Sequence, residues 1–196
     1  MEFNEKQALQ VIEEMISKTK SDMKDNSFYY LLWGWIVFIA AITNYYLLAF
    51  TNFEYHSIPW MILIPIGIII TIIGGIRSKK EERVKTYIGS SMKYIITAFW
   101  VSIMVISFTM PMGDQWKAFY PTFMVLYAIW LYISGGILKF KPFIYGAVLN
   151  WILAGVCYIW HDSGVHLLFI SLAVLGGYII PGYMLKMSYN RNVQRA

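Results

Sequence analysis

The chain has 196 residues, of which 58% are apolar or aromatic and 14% charged, with 16 Lys and Arg against 11 Asp and Glu; soluble domains carry about 25% charged residues. The charges are also segregated, since Glu54 stands alone between Phe28 and Ile76, and Asp114 and Lys117 stand alone between Tyr94 and Leu138. A water-soluble globule is excluded, as is a disordered chain, which could not keep so many large apolar side chains solvated.

The first element expected is a cytoplasmic amphipathic helix over residues 4–24, within a polar segment 1–27. Ala8, Ile12, Met15, Ile16, Thr19 and Met23 recur there at three- and four-residue spacing. Asn26 and Ser27 are of the residue types that cap helices and are expected to cap the helix that then enters the membrane. Its four Lys face Glu2, Glu5, Glu13, Glu14, Asp22 and Asp25, a side-chain sum of −2. A helix attracted to anionic lipid would be basic. Packing under the membrane domain, self-association, or docking a cytoplasmic partner through Ala8, Ile12, Met15, Ile16 and Met23 fits better.

Six apolar runs follow at 28–50, 58–76, 93–110, 120–138, 142–160 and 166–184, each near the length of about 20 residues needed to cross hydrocarbon. They lack the two-residue alternation of a lipid-facing barrel, and open strand edges cannot be satisfied in lipid. The expectation is an all-α bundle over residues 28–186, with a tail at 187–196. The first run lies behind 27 mostly polar residues and has no cleavage pattern, so it reads as an anchor rather than a removable signal.

Positively charged loops resist translocation. Fifteen of the 16 Lys and Arg fall before the first run, in loop 77–93, at Lys139 and Lys141, or after residue 185, and Lys117 alone lies on the other side. Both termini are therefore expected in the cytoplasm. The net charge of +5 reads as topogenic, because a nucleic-acid surface would gather its basic residues on one folded face.

Gly-Gly pairs close the even runs at Gly74-Gly75, Gly135-Gly136 and Gly176-Gly177, while Trp33-Gly34-Trp35 in the first run aligns with Tyr145-Gly146-Ala147 in the fifth. This suggests three consecutive helical hairpins. Small residues four apart allow close helix packing. Gly67, Thr71 and Gly75 form such a stripe, as do Gly146, Asn150 and Ala154; Ala98 with Ser102 and Ala173 with Gly177 add shorter ones, all expected to face inward. Pro65 and Pro181 are expected to disturb their helices.

The runs contain no ionisable side chain away from their ends, which argues against a proton relay. Asn150 is the strongest polar group at mid-membrane. With Asn44, Thr71 and Ser102, it either bonds between helices or lines a polar cavity. His56, His161, Asp162 and His166 lie in or beside the outer turns and are weak candidates for a metal site, since their spacing matches no established ligand motif. The single Cys157 supports neither a disulfide nor a thiolate site. No catalytic or phosphate-binding signature occurs, so no enzyme activity and no cofactor are expected. Trp and Tyr near the run ends are the usual interfacial belt.

The runs Ser27-Phe28-Tyr29-Tyr30-Leu31-Leu32-Trp33-Gly34-Trp35, Ser134-Gly135-Gly136-Ile137-Leu138-Lys139-Phe140-Lys141-Pro142 and Ile180-Pro181-Gly182-Tyr183 resemble those of a group of uncharacterised bacterial six-helix membrane proteins. The resemblance spans nearly the whole chain and implies a multi-pass protein of the bacterial inner membrane, with no assigned activity to carry over. The leading expectation is a non-enzymatic interaction or regulatory module. It would present residues 4–24 and loop 77–93 to a cytoplasmic protein, with the bilayer, and a second copy of the chain, as further partners and no nucleic acid. The alternatives are a small transporter or channel for a neutral or lipid-like solute, and an outer-face metal-binding protein.

Overall fold

In hydrocarbon a backbone must satisfy its own hydrogen bonds, and a helix does so within one segment. The computed structural model describes residues 5–51, 54–79, 87–112, 116–160 and 163–194, and it is all helix and turn, with no strand among the described residues. In chain order the helices are α1 (Glu5–Phe50), α2 (Ile58–Lys79), α3 (Tyr87–Met112), α4 (Trp116–Ile137), α5 (Lys141–Ile159), α6 (Ser163–Val174) and α7 (Ile180–Gln194). A π turn, Leu175–Ile179, joins α6 to α7 without a break, so these three pieces make a sixth rod.

Five stretches are long and apolar enough to cross a membrane: Ser27–Phe50, Ile58–Ile76, Ala118–Ile137, Lys141–Ile159 and Gly164–Ser188. The run expected at 93–110 is part of α3, where the apolar stretch Tyr94–Met110 is shorter. Lys93 bounds it on one side and Pro111 on the other. At 1.5 Å per residue it covers about 25 Å of the roughly 30 Å of hydrocarbon.

The first departure from expectation is at Asn26 and Ser27. α1 runs through both and is a single helix of 46 residues, so neither is a cap. Capping residues are only tolerant of termini, and a chain that can continue its i→i−4 ladder gains a bond at each step. The described part of residues 4–24 is therefore helical and continuous with the apolar stretch, as the first half of α1.

Burial shows where the centre lies. In the sixth rod 56% of the apolar window is buried, against 6% in α2. The sixth rod touches α1, α4 and α5, and α4 and α5 pack extensively against each other. Among the described residues α2 packs on α1 alone, and α3 approaches only α4 closely through its backbone. The core comprises Tyr30, Val37 and Ala41 of α1, Met124, Ala128 and Leu131 of α4, Phe143, Ala147 and Ala154 of α5, and Ile170, Ala173 and Val174 of α6.

The α4–α5 connection shows why those helices lie so close. Phe140 N–H donates to the Gly135 carbonyl at 2.9 Å and Lys139 N–H to the Gly136 carbonyl at 3.3 Å. With Lys139 at φ 51°, this is the paired-bond C-terminal cap usually built on glycine. Pro142 in the first turn of α5 then restarts the helix where its missing N–H costs nothing.

Candidate functional site

Close approach is the first requirement of the interior. A Cβ added to Gly146 of α5 would lie 2.7 Å from the Gly177 Cα in the π turn, and one added to Gly34 of α1 would lie 3.1 Å from the Tyr178 Cβ. The two glycines aligned in the sequence thus flank the same turn from opposite helices. The turn itself follows from its residues. Pro181 offers no N–H to the carbonyl four back, and its ring crowds that carbonyl. Gly176 and Gly177 hold α-helix geometry least firmly, and the helix widens there, with Ile180 N–H reaching the Leu175 carbonyl.

Asn150 reads this joint directly. It is fully buried, and its Nδ2 donates to the Gly146 carbonyl at 2.8 Å and across the interface to the Ala173 carbonyl at 2.9 Å. Its Oδ1 has no hydrogen-bond partner among the described residues. One side chain therefore ties α5 to α6 two residues before the turn. Beside it, Tyr30, Tyr127 and Tyr178 bring rings from three elements together, with centroids 6.1 Å apart for Tyr30–Tyr178 and 5.8 Å for Tyr127–Tyr178. The Tyr178 hydroxyl donates to the Tyr127 carbonyl at 3.4 Å, and the Tyr30 hydroxyl approaches Ser134 and Trp130 of α4.

The other polar residues singled out by the sequence lie elsewhere. Asn44 of α1 is buried at the α1–α2 corner, where its Nδ2 donates to the His56 carbonyl at 2.9 Å and its Oδ1 accepts from Trp60 Nε1 at 2.9 Å. That amide staples the loop to the helix end, and His56 Nδ1 sits 3.0 Å from it. Thr71 joins α2 to α1, accepting from Trp33 Nε1 at 3.1 Å and donating to the Gly67 carbonyl at 2.8 Å. Ser102 donates to the Ala98 carbonyl of its own helix at 2.8 Å. Trp33 and Asn44 are about 16 Å apart along α1, so Thr71 and Asn44 serve separate levels of one interface. The four residues do not share a partner.

Two expected stripes are corrected. Gly75 has open space around it and Gly74 takes its place, close to the Tyr29 hydroxyl, so the packed face of α2 is Gly67, Thr71 and Gly74. A helix turns 100° per residue, and positions four, then three, apart keep the α1 side better than two steps of four. Ala98 is exposed, and the Ala98–Ser102 face does not point inward.

His166 is buried against Tyr120, and its Nε2 donates to the Trp160 carbonyl at 2.5 Å. A carbonyl only accepts, so the proton is on Nε2. His161 and Asp162 lie outside the described residues, as do the side chains of Ala8, Ile12, Met15, Ile16 and Met23. Among the described residues no three His, Cys, Asp or Glu come together in a metal-binding arrangement. The described buried polar side chains are Ser27, Asn44, Ser134, Asn150, His166 and Ser171. They offer amide, hydroxyl and imidazole dipoles suited to hydrogen bonding between helices.

The tyrosine cluster and the π turn were not anticipated. The available signal was Gly176-Gly177 followed four residues later by Pro181, a combination that weakens and then interrupts a helical ladder. Neither a family model, nor a curated protein, nor a solved structure matches this chain.

Proposed function

We propose that the chain is a non-enzymatic, multi-pass protein of the bacterial inner membrane. It acts as an interaction or regulatory module, carrying the polar half of α1 and the basic segment 77–93 to a cytoplasmic protein. The observation that supports this most is the continuity of α1. Of its 46 residues only Ser27–Phe50 are apolar enough to span, so residues 5–26 extend roughly 33 Å beyond the apolar stretch. Positions 8, 12, 15, 16, 19 and 23 share helical phase, within about 60°, with the buried positions 30, 34, 37 and 41. The apolar row of the extension thus continues the row that packs the core. In this reading a cytoplasmic protein covers that row.

The experiment is site-specific photo-crosslinking from position 12 or 16 in cells, beside deletion of residues 2–24. A discrete adduct with one cytoplasmic protein is expected, lost on deletion while membrane insertion of 28–186 is unchanged. Adducts only with lipid, or an identical set of bound proteins after deletion, would refute the proposal. A solute pathway through Asn44, Thr71, Ser102 and Asn150 draws less support, because these side chains serve separate contacts.

A further inference from the structure

The sixth rod changes partners halfway along. α6 is hemmed in by α1, α4 and α5, whereas α7 rests on α1 with only a slight touch from α5. The boundary between the embedded half and the half held on one side is the π turn Leu175–Ile179. We propose that this turn is a register joint: α7 exchanges between the wide turn seen here and an ordinary α turn, and the Asn150 amide latches the wide form.

A π turn is an α-helix carrying one extra residue. Gly176 and Gly177 have weak preference for either geometry, and Pro181 withholds the N–H that would reward an α turn at Gly177. The wide turn fits because Gly34 and Gly146 present no Cβ on its two flanks. Asn150 Nδ2 fixes the Ala173 carbonyl just ahead of it. In the narrow form α7 turns by about 100° and advances about 1.5 Å. Gly182 then takes the place of Tyr183, and the bond from Trp35 Nε1 to the Tyr183 hydroxyl, 3.3 Å long and exposed, is broken.

The test uses the full chain in nanodiscs with Cys157→Ala, Tyr145→Cys and Met187→Cys, the last two at exposed positions on α5 and α7. Spin labels there report the α5–α7 distance by pulsed electron paramagnetic resonance. Two populations are expected, separated by roughly 8 Å for a 100° turn at the helix surface. Asn150→Leu should raise the minor population about threefold or more, as loss of one interhelical bond in lipid implies. Pro181→Ala, which returns an N–H to the ladder, should shift it the same way, and deletion of Gly176, which removes the extra residue and so keeps α7 in the register seen here, should leave only the first distance. A single distance in the parent, unmoved by Pro181→Ala, overturns the joint; two distances whose ratio Asn150→Leu leaves unchanged overturn the latch. If Asn150→Leu is not monodisperse, Asn150→Gln and Pro181→Ala carry the same comparison.

Discussion

A single methyl group gauges how closely two helices meet. Gly135 and Gly136 are adjacent, yet a Cβ on Gly135 would lie 2.9 Å from the Ile144 side chain and 3.1 Å from its backbone nitrogen, whereas one on Gly136 meets nothing within 4 Å. Backbone cannot yield as a side-chain tip does. Gly135→Ala should therefore lower stability by about 1–3 kcal/mol, and Gly136→Ala should be near neutral. Thermal unfolding of both variants in one detergent decides this, and equal losses would mean that the α4–α5 contact is looser than described. The sequence displayed the glycine pairs but not which member packs. That choice depends on helix phase against a neighbour, and glycine itself carries no directional mark. Asn150 was legible as the dominant polar group, because an amide has few ways to be satisfied in lipid. Its partner Ala173 was not, because any carbonyl can accept.

At the scale of the helix, α3 is held differently from the rest. Trp100 meets Trp33 of α1 at 5.2 Å between ring centroids, and Phe99 meets Trp130 of α4 at 5.0 Å. Each such pair contributes about 0.5–1.5 kcal/mol beyond simple area. Phe99→Ala with Trp100→Ala should release α3 while the α4–α5–α6 core persists. Hydrogen exchange should then quicken across Tyr94–Met110 and remain slow in α5; uniform acceleration would show that α3 is integral to the core. The existence of these helices could be read from hydropathy. Their ends could not, as α1 shows: Asn26 and Ser27 are cap residues by type, yet the helix runs through both, because each further residue adds a bond to the ladder.

For the whole molecule, reporter fusions should place Lys80 in the cytoplasm and Asp114 outside; a cytoplasmic Asp114 would invert the orientation read from Lys and Arg. Charge is a legible signal because it is sparse and its cost of translocation is large. The arrangement of rods around the sixth was illegible for the opposite reason. In lipid the outward and inward faces of a helix are equally apolar, so periodicity does not separate them, as the exposed Ile66, Ile69 and Ile73 of α2 and the buried Ile170 of α6 illustrate. The small residues of the sixth rod were the available clue, and the same types also occur on exposed surfaces such as Gly155, which has nothing near it.

The unbroken course of α1 has a mechanical meaning. A helix with no proline, no π turn and no gap between Glu5 and Phe50 behaves as a stiff shaft. Twist or thrust applied by a bound protein at its far end would arrive at Tyr30 and Gly34 with little loss. Cutting that shaft with a flexible glycine insert near residue 26 should uncouple the two ends while leaving each of them folded.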